Sequence, residues 1–123
     1  MSYLFIYFLL IHWLADFVCQ TDWMARNKST NLQALFSHIL VYTSVLYIGL
    51  LLICLKYDIS IASFVGFILI NSFTHFIIDL VTSRITSTLY KANDIHNFFV
   101  VIGFDQFLHI AILFASYTYF IGL

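Results

Sequence analysis

The sequence predicts an all-α fold: a polytopic membrane protein forming a single domain, residues 1–123, built as a four-transmembrane-helix bundle. Three observations carry that expectation. The chain is 63% hydrophobic, with a mean hydropathy of +0.99. Charged residues make up only 9% of it, against about a quarter in soluble domains. Four apolar stretches, finally, come close to or exceed the roughly 20 residues that a helix needs to cross a bilayer.

The first stretch, Ser2–Gln20, has no basic residue before it and no small-residue cleavage motif after it, so it reads as a retained span and not a signal peptide. The second, Asn31–Leu55, opens on Thr30-Asn31-Leu32-Gln33, which matches a capping box begun by Thr30. The third, Ser60–Ser83, can be capped by Ser60 or Asp58, and the fourth, Ile95–Ile121, by Asp94. The sequence contains no proline to kink any of them.

Orientation follows from the basic residues. Arg26 and Lys28 lie between spans one and two, and Arg84 and Lys91 between spans three and four. The remaining connection holds only Lys56, beside Asp58. The positive-inside rule therefore predicts a multi-pass protein of the cell (inner) membrane, with loops 21–30 and 84–94 cytoplasmic and both termini outside. Snorkelling loop arginines and lysines could partly offset buried carboxylates, but Arg26 and Lys28 belong to a loop and can stay in water. Tyr3, Tyr42, Tyr57, Tyr90, Tyr119 and Trp23, near span ends, suit an interfacial belt. Cys19 and Cys54 fall near opposite faces, too far apart for a disulfide. A net charge of −1 offers no basic surface for nucleic acid, so the expected partner is the lipid bilayer, with oligomerisation left open.

Against this background three pairs stand out: His12/Asp16, His75/Asp79 and Asp105/His109. Four residues is about one helical turn, so each pair projects from one helix face. With the topology above, all three, together with His38, fall in the cytoplasmic half of the bundle. His109 fits that layer only if the first turn or two of the fourth helix stands above the bilayer. Gln20, Asn71 and Gln106 add polar groups to the same faces, whereas His96 falls on the opposite side of its helix from Asp105.

A charged side chain at mid-bilayer costs about 2.5–3.5 kcal/mol, so three unpaired aspartates would cost on the order of 8–10 kcal/mol. A divalent transition metal (zinc, iron or manganese, one or two ions) answers that charge, because imidazole and carboxylate are its usual ligands and helix bundles build such sites from facing helices. The expected metal ligands are His12, Asp16, His75, Asp79, Asp105 and His109. His38, as general base or a further ligand, and Gln20 are the expected catalytic residues, with Asn71 and Gln106 supporting from behind.

Two other readings stand beside this one. A structural core glued by interhelical hydrogen bonds would explain any one of these residues. Proton or ion translocation would use a His/Asp relay, but the outer half offers only Tyr7, Thr43, Ser44, Ser63, Ser116, Tyr117 and Thr118 to continue a path.

The run H-W-L-A-D-F-V-C-Q-T-D-W-M-A-R-N-K (His12 to Lys28) resembles the opening signature of an uncharacterised family of small bacterial and phage membrane proteins, the domain of unknown function 3307. N-S-F-T-H-F-I-I-D (Asn71 to Asp79) and H-N-F-F-V-V-I-G-F-D-Q-F-L-H (His96 to His109) resemble its later signatures. The resemblance spans nearly the whole chain and implies four helices, with His12, Asp16, Gln20, His38, His75, Asp79, Asp105, Gln106 and His109 as the family-typical positions. It implies no activity. A looser similarity of layout runs to membrane-bound metal-dependent hydrolases, by analogy only. The expected function is metal-dependent hydrolysis of a lipid or lipid-linked substrate near the cytoplasmic face.

Overall fold

In a computed structural model, residues 3–123 are described, so Ser2 at the start of the first expected span lies outside them. Among the described residues the secondary structure is all helical, with five α-helices: α1 (Tyr3–Trp13), α2 (Asp22–Asn27), α3 (Leu32–Cys54), α4 (Ile61–Lys91) and α5 (Ile95–Ser116). Two π-helical turns extend the bundle, Leu14–Val18 after α1 and Tyr117–Ile121 after α5. Three helical stretches are long and apolar enough to cross a membrane, and Tyr3–Val18 is a shorter apolar helix.

The surface pattern is that of a protein meeting lipid. Large apolar side chains point outward along every long helix; Leu40 is 68% exposed, Phe73 65% and Phe99 63%. Polar groups take part of the interior instead: His12, His38, Asn71, His75, Asp79 and His109 are all buried. Packing between helices in lipid depends on close fit, since tails are as apolar as the side chains. Gly49 on α3 provides such a fit, because a Cβ there would stand 2.9 Å from Ile11 Cγ2 on α1. α4 lies along both α3 and α5, and α1 closes the bundle against α3 and α5.

Local chemistry explains the helix ends, with one change from expectation. Asn31 caps α3 by accepting from Gln33 N at 2.8 Å, so the cap is one residue later than the Thr30 capping box predicts. Ser60 and Asp94 cap α4 and α5 as expected, and Thr21 caps α2.

The expected loops are mostly helix. Segment 21–30 contains α2, and α4 runs on through Arg84 to Lys91, leaving only Ala92–Asp94 before α5. Sequence hydropathy placed the end of the third span at Ser83, where Ser83, Arg84, Thr86, Ser87 and Thr88 dilute the apolar pattern. Helix propagation needs backbone hydrogen bonds and not apolarity, so α4 continues until Asn93 turns left-handed at φ 58°. Asp94 N then bonds Leu89 O and Asn93 N bonds Tyr90 O, which together form a Schellman stop. At 31 residues α4 is about 46 Å long, well beyond the roughly 30 Å hydrocarbon core. The α4–α5 hairpin therefore extends beyond the length of a span, at the end of the bundle that carries Arg26, Lys28, Arg84 and Lys91.

Candidate metal centre

Four helical segments deliver the polar residues to one level. Asp16 comes from the π turn after α1, a type of helical defect often found at functional sites. α3 supplies His38, α4 supplies His75 and Asp79, and α5 supplies Asp105, Gln106 and His109.

Asp16, His38, His75 and Asp79 each offer one ligand atom, all within 4.8 Å of one another. His38 Nε2 stands 3.1 Å from Asp16 Oδ1, 3.2 Å from Asp79 Oδ2 and 3.1 Å from His75 Nε2. His75 Nε2 is 3.3 Å from Asp16 Oδ1 and 3.6 Å from Asp79 Oδ2. Ligands held about 2.0–2.2 Å from a tetrahedral ion stand roughly 3.3–3.6 Å apart; the two distances from His75 to the carboxylates fall in that range, and the three from His38 are shorter, at hydrogen-bond length.

A second group, Asp79, Asp105 and His109, adjoins the first. His109 Nε2 lies 3.1 Å from Asp79 Oδ1 and 3.5 Å from Asp105 Oδ2. Asp79 thus turns Oδ2 to one group and Oδ1 to the other, so it would contribute to either position a metal took. Behind these atoms the rings stack: His75 on His109 with centroids 4.1 Å apart, and Tyr42 on His75 at 3.9 Å.

The other expected residues take different places. His12 is buried beside the groups but belongs to neither. Its Nδ1 meets Tyr42 OH at 3.2 Å, its Nε2 meets Gln106 Oε1 at 3.2 Å, and Asp16 is 3.8 Å away. Gln106 Nε2 donates to Asp16 Oδ2 at 2.9 Å and to Asp105 Oδ2 at 3.1 Å, orienting both carboxylates. His38 sits among the ligand atoms and not behind them. Asn71 donates to Phe67 O and Ser116 Oγ, tying α4 to α5 one turn deeper. Gln20 Oε1 is buried with no hydrogen-bond partner. His96 is exposed, away from the centre.

Three contributors went unpredicted. Lys28, expected in water, reaches inward and its Nζ donates to Asp79 Oδ2 at 2.8 Å. Tyr42, expected in the interfacial belt, is only 2% exposed at the centre. Thr82 donates to Asp105 Oδ1 at 2.5 Å. Spacing held the signal for two of them, since Tyr42 follows His38 by one turn and Thr82 follows Asp79 by three residues.

The charge count leaves room for a cation. With neutral histidines, Asp16, Asp79 and Asp105 carry −3, and Lys28 returns +1, leaving −2 in a largely buried site. The donor set fits a divalent metal on both distance and charge. The outer shell is thinner: the Nδ1 atoms of His38 and His75 are buried without hydrogen-bond partners, where a ligating histidine usually donates to an acceptor.

The centre forms the floor of a cavity of about 630 Å³ that opens on the basic face. On its other side the bundle is closed by Phe8, Leu46, Leu50, Phe67 and Leu113, each 0% exposed. The polar region is a blind pit.

A family profile described as protein of unknown function, DUF3307, matches residues 4–123. No curated protein and no solved structure matches the chain.

Proposed function

Because the chain belongs to DUF3307, a family described only as protein of unknown function, we propose its function from the site itself: a metal centre set in the membrane that hydrolyses a lipid or lipid-linked substrate. The observation that carries this reading is the convergence of ligand atoms from Asp16, His38, His75 and Asp79 within 4.8 Å of one another, with Asp79 shared by a second group. When bound, a divalent ion supplies a water of lowered pKa and positive charge for the oxygen that becomes negative during hydrolysis.

The chain's own residues divide the remaining work. Asp16, His38, His75 and Asp79 hold one position, and Asp79, Asp105 and His109 hold the other. His38 is then a ligand, one of the two roles its sequence position suggested. Asp105, at 14% the most exposed of the three carboxylates, lines the cavity beside the space where the attacking water would stand. Gln20 Oε1, unpartnered on the cavity wall, is placed to orient that water. His12, Gln106 and Thr82 fix the carboxylates.

Elemental analysis of the detergent-purified full chain tests this reading. One or two zinc, iron or manganese ions per chain are expected, and Asp79→Asn should lose them. Folded protein that takes up none of these ions when supplied with them overturns the metal centre.

A hydrogen-bonded structural core is the second reading. Two observations favour it: the 2.8 Å Lys28–Asp79 pair and the unpartnered Nδ1 atoms. Translocation is disfavoured by the apolar plug beneath the pit.

A further inference from the structure

The walls of the pit differ from its floor. Arg26 and Lys28 line one side, and Ser83, Thr86 and Ser87 line another from a single face of α4. Phe17, Phe98 and Ile102 make an apolar flank between the end of the first helix and α5. Among the described residues Arg26 has no carboxylate partner. Lys28 uses one of its three ammonium donors on Asp79, leaving two. Ser83 Oγ is buried without a hydrogen-bond partner, in a residue only 8% exposed, and Gln20 Oε1 is likewise unpartnered. Buried polar atoms without partners are costly, and both of these belong to residues that line one cavity, which points to a ligand that completes them once they turn into it.

We infer that this cavity receives the phosphate of a lipid headgroup, with the tails lying along the Phe17, Phe98 and Ile102 flank. The inference rests on the metal reading above. Asp16, Asp79 and Asp105 carry −3 and Arg26 and Lys28 carry +2, so the pit is −1 without metal and repels a phosphate. One divalent ion makes it +1 and two make it +3, either of which attracts one. Guanidinium, ammonium and hydroxyl donors then surround the anion, and charge-assisted hydrogen bonds of this type are the strong ones. The volume suits a headgroup, within the usual range of about 300–1,000 Å³ for ligand pockets. The apolar flank selects a lipid over free phosphate.

Binding to the metal-loaded, detergent-purified full chain tests this, with three probes: short-chain phosphatidic acid, the matching diacylglycerol and inorganic phosphate. Phosphatidic acid is expected to bind at least about tenfold tighter than diacylglycerol, the scale of one charge-assisted hydrogen bond. Arg26→Gln and Ser83→Ala should each weaken it, while Ser44→Ala, outside the cavity, should not. Inorganic phosphate binding as tightly as phosphatidic acid overturns the lipid assignment. Metal-loaded protein that binds both lipids equally overturns the inference and leaves the metal centre standing, whereas protein that holds no metal overturns both.

Discussion

Asp79 is the residue on which the site turns. Its two oxygens meet His38, His75 and Lys28 on one side and His109 on the other. Removing one partner from such a network leaves buried charge uncompensated, which is strongly destabilising, whereas replacing a pair with apolar residues is often neutral. The double substitution His75→Leu with Asp79→Leu therefore separates the two readings of the centre. A metal centre predicts lost metal and loss of the Tm gain that added metal confers through mass action. A structural core predicts unchanged or raised Tm with no metal dependence in either protein. The three His/Asp pairs were legible in sequence because four-residue spacing is visible without a fold. Lys28 was not, because its position before α3 says nothing about whether a flexible four-carbon stem turns inward. The separation of His38 from His12 was equally hidden, since it depends on which ring nitrogens meet across helices.

At the scale of elements, helix ends behaved as local chemistry predicts and helix lengths did not. Ser60 and Asp94 are caps readable from sequence, but hydropathy cannot see a helix continuing past its apolar run, as α4 does. The π turn that carries Asp16 is also invisible to residue spacing, because no proline or glycine marks it. Asp94 gives the α4–α5 connection a pH dependence. The Asn97 side chain and backbone N–H both donate to Asp94, holding its carboxyl below the ordinary range. A carboxyl depressed in the folded state stabilises it above the unfolded pKa, and that contribution is lost as pH falls through the folded value. The first turn of α5 should accordingly lose amide-exchange protection at Asn97 and Phe98 below the usual carboxylate range. Asp94→Asn should flatten that dependence, and protection factors indifferent to pH in the parent chain would refute it.

For the whole molecule, the four-helix membrane fold followed from composition and run length, and the structure agrees with both. The convergence of the polar residues needed the topology as well, and the blind end of the pit needed the packed core. The charge asymmetry between faces yields a test of orientation. In a chain with Cys19 and Cys54 replaced by serine, Asp58→Cys should react with a membrane-impermeant maleimide on intact cells, and Lys91→Cys only after lysis. The reverse pattern would invert the proposed topology. The uneven lengths of the helices have their own consequence. The first helix with its π turn covers about 24 Å while the apolar part of α4, residues 61–83, covers about 35 Å, so the bundle presents a hydrophobic belt of unequal height. A bilayer adapts to a short belt by thinning locally. Headgroups beside the first helix should then dip toward Asp16, shortening the path by which a lipid reaches the pit. Thermal stability in reconstituted vesicles should consequently be higher in short-chain than in long-chain phosphatidylcholine, and equal stability in both would show that the belt is level.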